Sequence, residues 1–207
     1  MIDGFINTFL LAMVVIDPIS IAPIFVALVA NYSKPEINRI ILMAVFVSSV
    51  VLAIFYLFGA VLLEKIGVEV SSFRIIGGIL LLYVGVEMMT NKRTERKMNA
   101  ADKAASTDEL DSLAIFPLAV PLIAGPAAMA LSIVTSSATA FASPEHLLGF
   151  FPIFAVIALA GIMMKIASVA KRALTPVISL VIQRIFGLLL GALATQFIID
   201  GIKEAFF

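Results

Sequence analysis

Six apolar runs, each long enough to cross a lipid bilayer, dominate the chain. A hydrocarbon core about 30 Å thick needs about 20 residues of helix at about 1.5 Å per residue. The runs fall at residues 5–30, 40–63, 73–89, 113–137, 147–170 and 177–202. Too little polar surface is left over to coat a water-soluble core. Of 207 residues, 62% are hydrophobic and 14% charged, against about 25% charged in a soluble domain. The predicted fold is all-α, a polytopic membrane protein with six transmembrane helices.

The longest polar interruption divides the chain. Residues 90–112, TNKRTERKMNAADKAASTDELDS, hold five Lys/Arg and five Asp/Glu and show no apolar periodicity. Such a stretch buries too little apolar surface to fold on its own, so a solvated, flexible linker is expected. It separates a first repeat, residues 1–89, from a second, residues 113–207. The two halves carry matching signals in the same order. Asp17-Pro18-Ile19-Ser20 in the first run corresponds to Gly125-Pro126-Ala127-Ala128 in the fourth. Arg74-Ile75-Ile76-Gly77 in the third corresponds to Arg184-Ile185-Phe186-Gly187 in the sixth. An odd number of helices per half sends the second half into the membrane from the other side, which predicts two inverted three-helix repeats.

Lys and Arg concentrate on one side of this topology. The loops after the first, third and fifth runs hold ten: Lys34, Arg39, Lys92, Arg93, Arg96, Lys97, Lys103, Lys165, Lys171 and Arg172. The other side holds Lys65 and Lys203. The bias predicts a cytoplasmic linker and periplasmic termini. Met1-Ile2-Asp3 offers no basic leader, and prolines interrupt the long run behind it, so that run is expected to be retained.

Prolines in the middle of a span are the clearest pointer to a site. Pro18 and Pro23 interrupt the first run, and Pro117, Pro121 and Pro126 the fourth. Each removes a backbone donor, and the carbonyls so freed need new partners inside lipid. Broken helices at corresponding positions of two repeats predict a binding site at mid-depth. The candidate substrate-binding residues are Asp17, Pro18, Ser20 and Pro23 in the first half and Gly125, Pro126 and Ala127 in the second. Asp17 admits two roles, a charge facing the solute and a cap for the helix after the break. Arg74 and Arg184, near opposite faces, are candidate gating residues, with interfacial snorkelling as the plainer role. Glu87, Gln196 and Asp200 are expected near the interface. His146 is expected to be ordinary loop polarity. Gly77, Gly78, Gly85 and the Gly187–Gly191 pair predict close helix packing.

Several functions are excluded. Without cysteine, and with His146 as the one histidine, no thiol chemistry or histidine-based metal cluster can be built. No metal or cofactor is therefore expected, nor an enzyme. The net charge of +0 gives no basic excess for nucleic acid. The expected partners are the lipid bilayer and a small-molecule solute, with a homo-oligomer left open.

The motifs also carry a family likeness. Asp17-Pro18-Ile19 with Pro23-Ile24-Phe25, the run Arg74 to Leu80, the run Pro117 to Pro126, and Arg184 to Leu188 together resemble the MarC family of integral membrane proteins. That family is a branch of the LysE-type exporter superfamily. The resemblance implies a six-helix protein of the bacterial inner membrane. It also implies a secondary transporter or exporter of a small solute, because some related proteins are described as transporters of small neutral amino acids. In one place the chain departs from the family pattern: Ser20 and Ile21 stand where the motif commonly has Gly-Asn, which bears on the solute. A non-transporting scaffold or regulatory subunit is the alternative function.

Overall fold

The computed structural model describes residues 2–90, 92–104, 110–137, 144–170 and 176–206. Every element among them is helical. In chain order these are α1 (Ile2–Ile16), α2 (Pro18–Leu28), α3 (Lys34–Lys65), α4 (Val70–Met89), α5 (Lys92–Ala104) and α6 (Leu110–Leu113). An irregular helical segment, Ala114–Ile123, comes next. Then come α7 (Pro126–Ser137), α8 (Pro144–Gly149), α9 (Phe151–Ala170) and α10 (Pro176–Phe206). Lys171 and Arg172, two of the ten cations assigned to the cytoplasmic side, lie outside the described residues.

Five helical stretches are long and apolar enough to span a membrane: Gly4–Leu28, Lys34–Lys65, Val70–Met89, Phe151–Val169 and Val181–Phe206. The bent pair Leu110–Ile123 and Pro126–Ser137 is long and apolar enough only when its two arms are taken together across a turn of 61°, as a broken span or a re-entrant loop. The six runs read from the sequence fall on these five stretches and the bent pair.

Lipid-facing and buried faces separate cleanly on α3. Leu42, Phe46, Val50, Ile54, Phe58 and Leu62 recur every four residues and are 41–70% exposed. In water such a stripe would be an aggregation surface; in lipid it faces its natural solvent. Ala44, Ser48, Leu52, Tyr56 and Gly59 line the opposite face and are buried. The core they enter joins α1, α2, α7 and α9 through Leu11, Ile21, Phe25, Leu131, Ile153 and Ile157.

α4 and α10 pack antiparallel, backbone against backbone. A Cβ on Gly85 would sit 2.9 Å from the Gly187 carbonyl, and one on Gly187 would sit 2.8 Å from the Gly85 carbonyl. Further along, Gly78 abuts Ala194 and Ile198, and Gly201 abuts Ser71 and Ile75. No larger residue permits this approach, so close helix packing by these glycines is what the structure contains.

Two sequence expectations are corrected. Residues 92–104 are not a loose linker but the helix α5, which packs on α2, α4 and the segment 114–123. The cause is electrostatic: two of its cations are buried against Asp17 and the carbonyls that end α1. His146 is not loop polarity. It lies in α8, is buried, and sits with its ring centroid 5.0 Å from that of Tyr56, whose hydroxyl donates to the His146 carbonyl at 2.9 Å.

Candidate functional site

The first span breaks at Asp17. Pro18 cannot donate to the turn before it, and its ring disfavours the helical conformation for its predecessor. Asp17 accordingly adopts the left-handed region, φ 55° and ψ 68°, which Asp tolerates better than most residues. Its carboxylate then caps the new helix: the Ser20 N–H donates to Asp17 Oδ1 at 3.3 Å. The capping role foreseen for Asp17 is thus realised, and Pro18 holds the first position of α2, where its missing N–H costs nothing.

The break also leaves the last carbonyls of α1 without helical partners. Two cations from α5 take them. Arg93 Nη2 donates to the Val15 carbonyl, and Lys97 Nζ donates to the Ile16 carbonyl at 3.3 Å. Positive charge is favoured at a helix C-terminus by the macrodipole. Arg93 Nε and Lys97 Nζ each lie 3.9 Å from Asp17 Oδ2. All three side chains are buried, at 2% exposure for Asp17, 5% for Arg93 and 7% for Lys97. A buried charge persists only where it is paired, and this cluster is why α5 is docked. Burial and the neighbouring Arg93 guanidinium lower the Lys97 ammonium to about 7, against the pull of Asp17.

The second break is longer. Phe116 and Val120 have extended backbone, φ −129° and −130°, each preceding a proline in a cis peptide. The Ala124 N–H reaches back to the Ala119 carbonyl at 2.8 Å, and Gly125 leads into Pro126, the first residue of α7. Gly125 is required here because a Cβ would lie 2.7 Å from the Pro121 carbonyl.

A cavity of about 330 Å³ lies between the breaks. Val15 bounds it on one side and Gly125, Pro126 and Ala127 on the other, with Arg93, Arg96 and Lys97 lining it from α5. Arg96 pairs with Glu87 at 2.9 Å and lies 5.6 Å from the Tyr83 ring centroid. Glu87, expected near the interface, is 5% exposed.

Of the residues singled out from sequence, Gly125, Pro126 and Ala127 line the cavity directly. Asp17, Pro18 and Ser20 are buried but do not line it; Asp17 reaches it through Arg93 and Lys97, and Ser20 accepts a hydrogen bond from the Gln183 side chain. Pro23 is exposed on the outer side of α2. Arg74 and Arg184 stand at opposite ends of the α4–α10 pair, away from the cavity. Arg74 pairs with Glu204 at 2.9 Å, and Arg184 is exposed. Sequence reading missed Arg93, Arg96 and Lys97. Their spacing of three and four residues puts them on one helical face, a signal masked by the composition around them.

The family model for MarC family integral membrane proteins matches residues 2–206. The UPF0056 membrane protein YhcE of Escherichia coli is 34% identical over 92% of this chain and 88% of its own length. A UPF0056 membrane protein of Buchnera aphidicola is 31% identical, covering 97% of this chain and 93% of its own length. The UPF0056 membrane protein MJ0972 of Methanocaldococcus jannaschii is also 31% identical, over 97% and 86%. No solved structure matches. On the match of the family model and of these relatives across nearly its full length, the chain belongs to the MarC family of integral membrane proteins.

Proposed function

We propose that this protein is a secondary transporter or exporter of a small solute, with the cavity between the two breaks as its binding site. The observation that carries the proposal is the meeting of both interrupted spans at one cavity whose wall includes charged side chains. A scaffold gains nothing from opening backbone hydrogen bonds inside lipid, where each unpaired group costs several kcal/mol. In a transporter such breaks put polar groups and charges at mid-depth beside a ligand site, as Arg93 and Lys97 stand here on the carbonyls that end α1. A volume of about 330 Å³ lies at the small end of ligand pockets, and neutral amino acids are one class of small solute that the family resemblance brings into the panel below.

The two three-helix units are inverted in this proposal. The antiparallel contact between α4 and α10, the third helix of each unit, supports that arrangement. The Lys/Arg bias supports α5 on the cytoplasmic side and both termini on the opposite side, which is the periplasm in the bacterial inner membrane that the family resemblance implies. The proposal invokes no enzymatic chemistry and no cofactor.

Reconstitution into liposomes tests this. Purified protein should carry a radiolabelled solute from a panel of neutral amino acids and small carboxylates well above empty liposomes. Protein that inserts but moves none of them, with or without a pH gradient, would favour the scaffold.

A further inference from the structure

The charges around the cavity point to a narrower ligand than the transport reading requires. Among the described residues lining it, three are cations, Arg93, Arg96 and Lys97, and none is a carboxylate. The remainder of the wall is mostly apolar, including Val15, Leu80, Val84 and Leu122. The nearby acids are already engaged. Glu87 holds Arg96, and Asp17 is turned to the N–H of Ser20, with Arg93 and Lys97 closing over its other oxygen. α7 also begins at this cavity, and the positive end of its dipole adds to the field.

Arg93 has donors left over. Its Nη2 is bound to the Val15 carbonyl and its Nε faces Asp17 Oδ2 at 3.9 Å, whereas Nη1 has no hydrogen-bond partner although the side chain is 5% exposed. Buried guanidinium donors without partners are costly. An oxyanion would satisfy them with charge-assisted hydrogen bonds.

We propose that the cavity binds a small monocarboxylate anion with an apolar body, its carboxylate held by Arg93 with Lys97 beside it. A zwitterion is disfavoured, because its ammonium would enter a wall that offers three cations and no carboxylate. This rests on the transport reading only for the passage of the bound anion across the membrane; the recognition itself stands on Arg93 and the lining.

Three four-carbon probes of similar shape decide it, titrated calorimetrically into the purified full-length protein at pH 6.5. Butyrate should bind. Butyramide, without the charge, and 2-aminobutyrate, with an added ammonium, should each bind at least about tenfold more weakly, a loss of about 1.4 kcal/mol or more. Arg93→Gln should weaken butyrate by a similar factor, and Arg93→Lys by less. Absence of butyrate binding overturns the inference, and so does 2-aminobutyrate or butyramide binding as tightly as butyrate. The wild-type comparison decides without the variant, should Arg93→Gln fail to fold. Butyrate bound through Arg93 but not carried across liposomes would uphold the inference and remove the transport reading. Amino-acid flux without butyrate binding would do the reverse.

Discussion

Single residues set the two breaks, and each tolerates little change. Asp17→Asn keeps a side-chain oxygen to accept from Ser20 and keeps a residue that tolerates the left-handed region. It removes only the negative charge. Arg93 and Lys97 would then be buried without their counter-ion, a loss of about 3–5 kcal/mol when one partner of a buried pair is deleted. The variant should insert, melt several degrees lower and lose most flux in the liposome assay. Unchanged flux would show that the cluster plays no part in transport. Gly125→Ala is the matching test in the second half. Its methyl would meet the Pro121 carbonyl at 2.7 Å, and backbone must shift to admit it, at about 1–3 kcal/mol. A lowered melting temperature is expected, whereas an unchanged one would mean the turn is looser than its geometry. Asp17, Pro18 and Pro126 are legible in the sequence because a charge or a proline inside an apolar run has no innocent place in lipid. Arg93 and Lys97 are not, because a cation in a charged stretch looks solvated until its partner is known.

At the scale of elements, α5 is the part that composition misjudges. Its sequence has too little apolar surface to fold alone; what docks it is the pairing of Arg93 and Lys97 with Asp17 and with the carbonyls of α1. No periodicity rule contains that information, because the partners lie almost 80 residues away. The element carries a pH response. Lys97, at about 7, is faced by Arg93 and Arg96 on its own helix and by Asp17 at the α1–α2 break; Glu87 and Tyr83 on α4 engage Arg96 instead. Its folded value is below the ordinary one, so its proton is lost as pH rises through about 7. Anion binding in the cavity should therefore weaken between pH 6 and pH 8, by about threefold or more for the loss of one nearby charge. Lys97→Met should flatten that profile, and an unaltered profile in the variant would assign the titration elsewhere. The α4–α10 pair is the element contact most legible in sequence, since its glycines recur at close-packing intervals. Gly85→Leu should force the helices apart against the Gly187 backbone. Loss of folded protein on extraction is the expected readout, and a normal yield with unchanged melting would contradict so close a contact.

At the scale of the whole molecule, two interrupted apolar stretches, Gly4–Leu28 and the bent pair Leu110–Ile123 with Pro126–Ser137, border one cavity that the cationic helix α5 also lines. The spans and their breaks are visible in sequence because lipid imposes a simple length rule and makes a mid-span proline conspicuous. The charge of the cavity is not visible, since it is assembled from the charged segment between the two halves of the chain. The central claim is that both breaks face one solute-accessible space. The absence of native cysteine allows a direct measurement. Val15→Cys and Ala127→Cys, made singly, should each react with a water-soluble maleimide in liposomes, and saturating butyrate or alanine should slow both reactions. Phe25→Cys, at a core position of 0% exposure, should stay unreactive. Labelling at only one of the two cavity positions, or labelling of both that neither solute slows, would contradict the account.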